Sequence, residues 1–293
     1  MISLHDPMLG LMSDILDDLE NTRIANENRL RQLTRTGEDS DGNERGFGLT
    51  EDHPDVARTA ALVTMLGKLE HDATLNLQRA MRTHPMGPWV KAQRGVGEKQ
   101  AARLLAAIRD PYWNDLHDRP RTVSELWAYA GYHTLPVSGH AGRDSHTGIA
   151  ADRGQLPVGQ SLSDTHKRDA DGSKTGHVDQ SGCDAPSTSV HVAAKRAKGQ
   201  RANWSSDAKM RAYLISESVV KAGGPWREVY DKRKAATEGR THAAPCVRCG
   251  PSGKPALPGS EWSKGHRHAD ALRITSKEIL KGMWTEARRL HNS

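Results

Sequence analysis

The chain has 293 residues, of which 35% are hydrophobic and 4% aromatic. This apolar share is smaller than globular proteins usually have, so we expect part of the chain to lie outside any packed core. The formal net charge of +6 conceals an asymmetry, because residues 1–55 carry 13 acidic and 5 basic side chains and residues 191–293 carry 21 basic and 9 acidic ones.

A basic region of this size favours a polyanionic partner, of which nucleic acid is the commonest, although a solvated basic surface is the alternative. The sequence has no run of about 18 apolar residues, and its first ten residues lack the features of a secretory signal. We therefore expect a soluble, cytoplasmic protein with no membrane partner. Its three cysteines fit a reducing compartment and a metal site better than a disulfide framework.

Two long helices are predicted within residues 1–88. Apolar residues at helical spacing predict the first over about 8–35, and a loop rich in Gly and Asp follows over 37–52. The second begins at Pro54, and its apolar side chains step by three and four residues as far as Ala80. This pattern is typical of one arm of an antiparallel helical hairpin or of a coiled coil that forms a homodimer. An ordinary surface helix is the alternative.

The segment 89–135 contains the turn Gly95-Val96-Gly97, directly before an apparent helix. In a helix-hairpin-helix element such glycines leave room for a phosphate, and the apolar residue fills the gap between the helices. The unpaired N–H groups that open the second helix then receive the anion. Lys99 and Arg103 are expected to add positive charge on the phosphate side. The alternative is a packing corner without a ligand.

Residues 136–192 contain few apolar side chains, so we expect a disordered insert rich in Gly, Ser, Asp and His. The region 193–293 is predicted to be helical, with helices starting near Ser205, Trp226 and Lys264. A basic segment before the first of them is expected to bind DNA through Lys195, Arg196, Lys198 and Arg201, and Trp204 to stack on an exposed base. With no period-two strand along the chain, the predicted fold class is all-α.

The run GVGEKQAARLLAAIRDP, followed by SELWAYAGYHT, resembles the C-terminal domain of insertion-sequence transposases of the IS one-ten/one-sixteen type. The similarity covers residues 89–133 and, more loosely, 193–290. It implies a helix-hairpin-helix protein that binds DNA in transposition or recombination, with a structured RNA as a further partner. It also implies a nucleophilic serine at Ser138, for which a loop serine is the alternative.

The resemblance has a clear limit at the N-terminus. These transposases carry a resolvase-like nuclease domain with four carboxylates on Mg²⁺, whereas residues 1–88 show two helices and an acidic loop. We therefore expect the isolated chain not to cleave DNA. The alternatives are a serine-dependent transposase, for which a partner subunit supplies the carboxylates and Mg²⁺, and a protein that binds structured RNA.

The pair Cys246-Val247-Arg248-Cys249 has the spacing of a zinc knuckle, and two reduced surface thiols are the alternative. We predict His266 and His268 as the other two ligands of a structural zinc, within a knuckle over residues 242–268. His242 is the alternative for either one. Two residues separated by one position on a helix point to different sides, so His266 and His268 can bind together only if the last helix starts after them.

Overall fold

A computed structural model describes residues 4–37, 40–136, 191–193, 202–251 and 254–293. Eight helices lie in these ranges: α1 (Pro7–Thr34), α2 (Pro54–Thr83), α3 (Gly87–Ala92), α4 (Glu98–Ile108), α5 (Val123–Tyr129), α6 (Ser206–Ala222), α7 (Pro225–Ala236) and α8 (Lys264–His291). The all-α prediction is confirmed. None of these helices has both the length and the apolar character that a membrane crossing requires.

The strands in the described ranges are very short. β1 (Trp113–Asn114) pairs antiparallel with β2 (Arg119–Pro120), with Trp113 opposite Pro120. β3 (Thr134–Pro136) and β4 (His191–Ala193) form a second two-stranded sheet. The sequence does not predict these strands, because two or three residues are too few to show an alternating pattern.

Capping side chains explain where the helices start. The Asp6 carboxylate accepts a hydrogen bond from the N–H of Met8 at 2.9 Å, and the hydroxyls of Ser205 and Ser263 play the same part for α6 and α8. Proline occupies the first turn of α1, α2 and α7, where its missing N–H removes no helical hydrogen bond.

One hydrophobic core joins both ends of the chain. Residues Met1–Leu135 and Ala193–Ser293 form a single compact unit. A second unit, Pro136–Val192, contains the predicted insert and lies almost wholly outside the described residues. Seven of these helices, all except α7, contribute buried side chains to the core, among them Leu16, Leu77, Leu104, Leu126, Ile215 and Ile279. The helical segments before and after residues 136–192 therefore share this core.

The predicted N-terminal hairpin is present as α1 and α2. The two helices run antiparallel, because a loop over residues 35–53 joins them and Arg23 of α1 pairs with Glu70 of α2 about midway along both. One side of α2 keeps apolar side chains exposed: Leu62 at 49%, Met65 at 61% and Leu69 at 53%. A homodimer through this hairpin stays a prediction.

Buried charges connect α1 to the core. The side chains of Arg103 on α4 and Arg211 on α6 are 2% and 9% exposed, and both pair with Asp17 of α1. Arg211 lies 2.7 Å from each Asp17 oxygen, and Arg103 and Lys99 also pair with Glu20. Burial lowers the pKa of Arg103 to about 10, and the charge of Arg211 acts in the same direction. We call these five residues the arginine network.

The substitution Asp17→Asn tests the arginine network. It removes the carboxylate that both buried arginines share while keeping the size of the side chain. We expect the free energy of unfolding to fall by about 3 kcal/mol, because a buried charge loses its partner. Urea unfolding followed by circular dichroism measures the change.

Asp18→Asn is the matched control, since the neighbouring Asp18 is exposed. It should change the free energy of unfolding by less than about 0.5 kcal/mol. Equal losses in the two variants would contradict the assigned role of Asp17.

Candidate metal centre and nucleic-acid interface

Four side chains with metal-binding atoms converge where the C-terminal loop meets α8. They are His242, Cys246, Cys249 and His266, and their ligand atoms all lie within 4.8 Å of one another. His266 Nδ1 is 3.3 Å from His242 Nε2, 3.3 Å from Cys249 Sγ and 3.6 Å from Cys246 Sγ. We call these four residues the metal centre.

These separations fit a tetrahedral metal ion. Metal–nitrogen bonds of about 2.0–2.1 Å and metal–sulfur bonds of about 2.3 Å place two tetrahedral nitrogens about 3.3 Å apart, and a nitrogen about 3.6 Å from a sulfur. The His266 distances are close to both values. The four ligand atoms are thus close enough to converge on one metal ion.

The local backbone brings the two cysteines together. Cys246 and Ala256 exchange two backbone hydrogen bonds, at 3.0 and 2.8 Å, which close the loop that carries Cys249. Directly after Cys249, a Cβ at Gly250 would overlap the backbone of Lys254 and Ala256, so only glycine fits there. A second bridge, between Thr241 and Glu261, sets His242 beside the start of α8.

Hydrogen bonding prepares His242 as a ligand. Its Nδ1 lies 2.7 Å from the Ser260 carbonyl oxygen, which can only accept, so Nδ1 carries the proton and Nε2 presents its lone pair. His266 stacks on Trp262 with ring centroids 4.0 Å apart. Burial, followed by the charges of neighbouring groups including His242, lowers the pKa of His266. The imidazole of His266 is thus favoured in the neutral form that binds metals.

Ser263 supports both Cys249 and α8. Its hydroxyl accepts from the N–H of His266 at 3.1 Å and lies 3.2 Å from Cys249 Sγ, while its own N–H donates to that sulfur at 3.4 Å. Burial alone would raise the pKa of the Cys249 thiol, but the Ser263 hydrogen bonds and the interactions with His242 and Cys246 hold that pKa below its ordinary value. These contacts favour the thiolate, which is the form that binds metal.

His268 does not belong to the metal centre, which corrects that part of the predicted ligand set. Because α8 starts at Lys264, both His266 and His268 lie on the helix, about 200° apart around its axis. His268 Nδ1 instead lies 2.7 Å from the Tyr230 hydroxyl of α7. His242, four residues before Cys246, takes its place. It is the alternative ligand that the sequence predicts.

The glycine turn, Gly95-Val96-Gly97, lies between α3 and α4. Its first two residues pack against α6 and the hydrophobic core. Val96 is 9% exposed and belongs to the hydrophobic core. Gly95 has a φ of +86°, and a Cβ there would lie 2.7 Å from the Ala222 Cβ and 2.8 Å from the Val219 Cα of α6. Gly95 is therefore needed for the contact with α6. This corrects the expectation that it serves the approach of a phosphate.

Gly97 has different surroundings. It is exposed and directly precedes α4, and no side chain caps the helix there. A Cβ at this position would meet no atom of the described residues within 4 Å. The next residue, Glu98, pairs with Arg82 through both carboxylate oxygens, at 2.8 and 2.9 Å. This pairing offsets the negative charge at the start of α4.

Two residues expected on the phosphate side belong to the arginine network instead. Arg103 is buried against Asp17 and Glu20, and Lys99 pairs with Glu20. Both side chains point toward α1, which corrects the expectation that they face a phosphate. The sequence pattern alone does not reveal this, because the acidic partners lie about 80 residues earlier in the chain.

Trp204 is partly buried. A Cβ at Gly131, whose φ is +69°, would overlap the Trp204 ring, so glycine allows that ring to pack closely. His133 meets the ring edge-on with centroids 5.8 Å apart, and Lys209 Nζ lies 4.9 Å from its centroid. Among the other candidate residues, Ser138, Lys195, Arg196, Lys198 and Arg201 lie outside the described residues.

Comparison of the sequence with models of protein families finds no match, and comparisons with curated proteins and with solved structures find none either. The resemblance to the transposases therefore rests on the sequence runs that carry it.

The ligand set can be tested by substituting its histidines one at a time. We expect His242→Ala to lose most of the bound metal, since it leaves three ligands and an open position. His268→Ala should retain about one metal ion per chain, because His268 contacts Tyr230 instead. Elemental analysis of protein made in metal-replete medium measures the ratio. Retention by His242→Ala together with loss in His268→Ala would restore the original ligand prediction.

Proposed function

We propose that this chain binds DNA through the phosphate backbone, with the glycine turn as a contact point and a zinc ion holding the C-terminal loop on α8. The proposal of DNA binding is supported chiefly by the open space beside Gly97, at the start of α4 where no side chain caps the helix. The proposal of a bound zinc ion is supported by the arrangement of the four residues of the metal centre.

The head of α4 has what a phosphate contact requires. The first N–H groups of a helix have no intrahelical partner, and the helix dipole favours an anion beside them. No atom of the described residues fills the space beside Gly97, so a phosphate oxygen can approach the backbone. Lys91 in the last turn of α3 and Arg94 in the connection between α3 and α4 are both exposed and add positive charge. A contact of this kind does not read base sequence.

Zinc is the metal that suits the metal centre. Two thiolates and two imidazoles in a tetrahedral arrangement are typical of structural zinc, and four protein ligands leave no position open for a substrate. Magnesium prefers oxygen ligands, so it enters this proposal only with carboxylates from a partner subunit. We assign the zinc a structural role.

The proposed biological setting is DNA transposition or recombination, and the transposase resemblance supports it. Ser138, the position that matches the family's nucleophile, lies outside the described residues. The proposal therefore gives the isolated chain a DNA-binding role without cleavage. A structured RNA presents the same phosphate chemistry, so an RNA hairpin serves as a competitor in the binding assay.

The first test of the proposal is Gly97→Val. The backbone at Gly97 is extended, with a φ of −77°, so valine fits without strain, and there is space for its side chain. We expect unchanged thermal stability and weaker binding to every duplex sequence, by about 1–3 kcal/mol for a lost hydrogen bond to a charged group. Fluorescence anisotropy with two unrelated 20-base-pair duplexes, at several salt concentrations, measures both the affinity and its salt dependence.

Two controls accompany this variant. Gly10→Val adds the same side chain at a glycine on α1 that also has free space around it, and it should bind DNA normally. Val96→Asp places a charge in the core and should lower stability. Normal DNA binding by folded Gly97→Val would show that the turn is a packing corner.

A further inference from the structure

A groove of about 270 Å³ lies where α3, α7 and α8 meet. Two half-buried tryptophans line it, Trp89 of α3 and Trp226 of α7. The rest of the lining is one side of α8, whose residues follow one another at helical spacing and are Glu278, Lys281, Gly282, Thr285 and Glu286. We call these seven residues the tryptophan groove.

Both indoles reach α8 at the same point. A Cβ at Gly282 would lie 3.1 Å from Cζ2 of Trp89 and 3.3 Å from Cη2 of Trp226. A side chain at this position would therefore crowd both rings. Glycine is a poor helix former, but here it lets the ends of the two indoles approach the backbone of α8. The two rings thus converge on one floor.

The indoles of the groove lack the partners that the other tryptophans have. The chain contains seven tryptophans. Five of them have an aromatic ring or a cation beside the indole, and these are Trp113, Trp127, Trp204, Trp262 and Trp284. In the described parts of the chain, no aromatic–aromatic or cation–π contact involves Trp89 or Trp226. Both rings are therefore available to a flat ligand in the groove.

The tryptophan groove adjoins the glycine turn. The indole N–H of Trp226 donates to Gln93 Oε1 at 3.2 Å, and a Cβ at Gly224, directly before α7, would lie 3.4 Å from Cδ of Arg94. Gln93 is four residues before Gly97, so their Cα atoms are at most about 14 Å apart. A DNA strand covers this length in about four nucleotides. One bound strand can therefore meet both places.

The charged residues of the groove are balanced. Lys281 Nζ lies 3.5 Å from a Glu278 oxygen, and Arg289 donates to both oxygens of Glu286, at 3.0 and 2.7 Å. A cation finds both carboxylates already paired, and an anion is repelled by them, so a neutral ligand suits the groove best. The Thr285 hydroxyl donates to the Lys281 carbonyl oxygen at 2.9 Å, and its own oxygen can accept a further hydrogen bond.

A DNA base matches the groove in shape and chemistry. It is neutral and flat, its face stacks on aromatic side chains, and its edge carries atoms that donate and accept hydrogen bonds. The exposed Lys281 ammonium and the Thr285 oxygen can bond to such an edge. A base inside a duplex has both faces covered by its neighbours. Only an unpaired base that has left the stack can therefore enter the groove.

We infer that the tryptophan groove receives one unpaired base of the bound DNA, which stacks on Trp89 and Trp226. The inference rests on the proposed function, since it names the class of DNA that the same protein prefers. The phosphate contact at Gly97 holds any duplex, and the groove adds a preference for DNA with an unstacked base. Because every base has a π-face, this preference is for structure more than for sequence.

The test compares three 20-base-pair duplexes of the same sequence in binding to the full-length chain. One is fully paired, one carries a single unpaired adenine at its centre, and one carries an abasic residue in place of that adenine. We expect the unpaired adenine to lower the Kd by about tenfold relative to both other duplexes, through stacking of one base. The abasic duplex keeps the interrupted backbone without the base. Equal affinity for the adenine and abasic duplexes would overturn the inference.

Two variants locate the preference in the groove. Trp89→Leu removes one ring while keeping an apolar side chain. Thr285→Met changes an exposed residue, and its long side chain covers the indoles, with which methionine makes favourable contacts. Both variants should bind the adenine and abasic duplexes within about twofold of each other, and the paired duplex as the wild type does. A preference that persists in Thr285→Met and in folded Trp89→Leu would overturn the groove as the base site.

Thr64→Met is the matched control for Thr285→Met. Thr64 is also an exposed helical threonine, and its hydroxyl donates to the carbonyl oxygen four residues earlier at the same distance of 2.9 Å. This variant should keep the full preference for the unpaired adenine. Thermal melting followed by circular dichroism establishes that each variant is folded. If Trp89→Leu does not fold, Thr285→Met alone decides the outcome.

The outcomes separate this inference from the proposed function. Binding to the paired duplex that is sensitive to Gly97→Val, without any preference for the unpaired adenine, would overturn the base site alone. A preference that is lost in Thr285→Met, with no effect of Gly97→Val on any duplex, would support the base site and remove the glycine turn. Failure of the wild-type chain to bind any of the three duplexes at low salt would overturn both.

Discussion

Two arginines buried among three helices set the arrangement on which the rest of the molecule depends. Arg103 and Arg211 can stay charged inside the protein only with carboxylates beside them, and Asp17 and Glu20 of α1 supply these. The acidic segment 1–55 thus neutralises Arg211 of the basic region 191–293, and also Arg103, within one compact unit. This pairing fixes α4 and α6 against α1, and it leaves the start of α4, at Gly97, facing solvent.

The metal centre supplies a comparable constraint at the C-terminal end. Residues 241–263 contain few apolar side chains, and the regular structure described there consists of two isolated bridges. A loop of this composition cannot hold itself on α8 by burial. In the proposed zinc-bound form, two cysteines from the loop, His242 before it and His266 from the first turn of α8 provide the connection.

The sequence predicts local features well and long-range partners poorly. Helix starts follow from caps such as Ser205 and Ser263, and the fold class follows from apolar spacing, because both depend on neighbouring residues. The partners of Arg103 lie on α1, more than 80 residues earlier in the chain. The spacing of apolar residues within a helix does not predict contacts between segments so far apart. His242 replaces His268 for a similar reason, since the choice depends on where α8 starts and on Tyr230 of α7. The need for glycine at position 95 becomes clear only once α6 packs against it.

The central claim is that the backbone at the head of α4 contacts DNA phosphates. The most direct measurement is an NMR titration of the amide-labelled protein with a 20-base-pair duplex, following the N–H signals of Gly97, Glu98 and Lys99. The account predicts that these signals shift as the duplex binds, in the same way for unrelated sequences, and return toward their free positions as salt rises. Saturable DNA binding that leaves these three amide signals unchanged would contradict it.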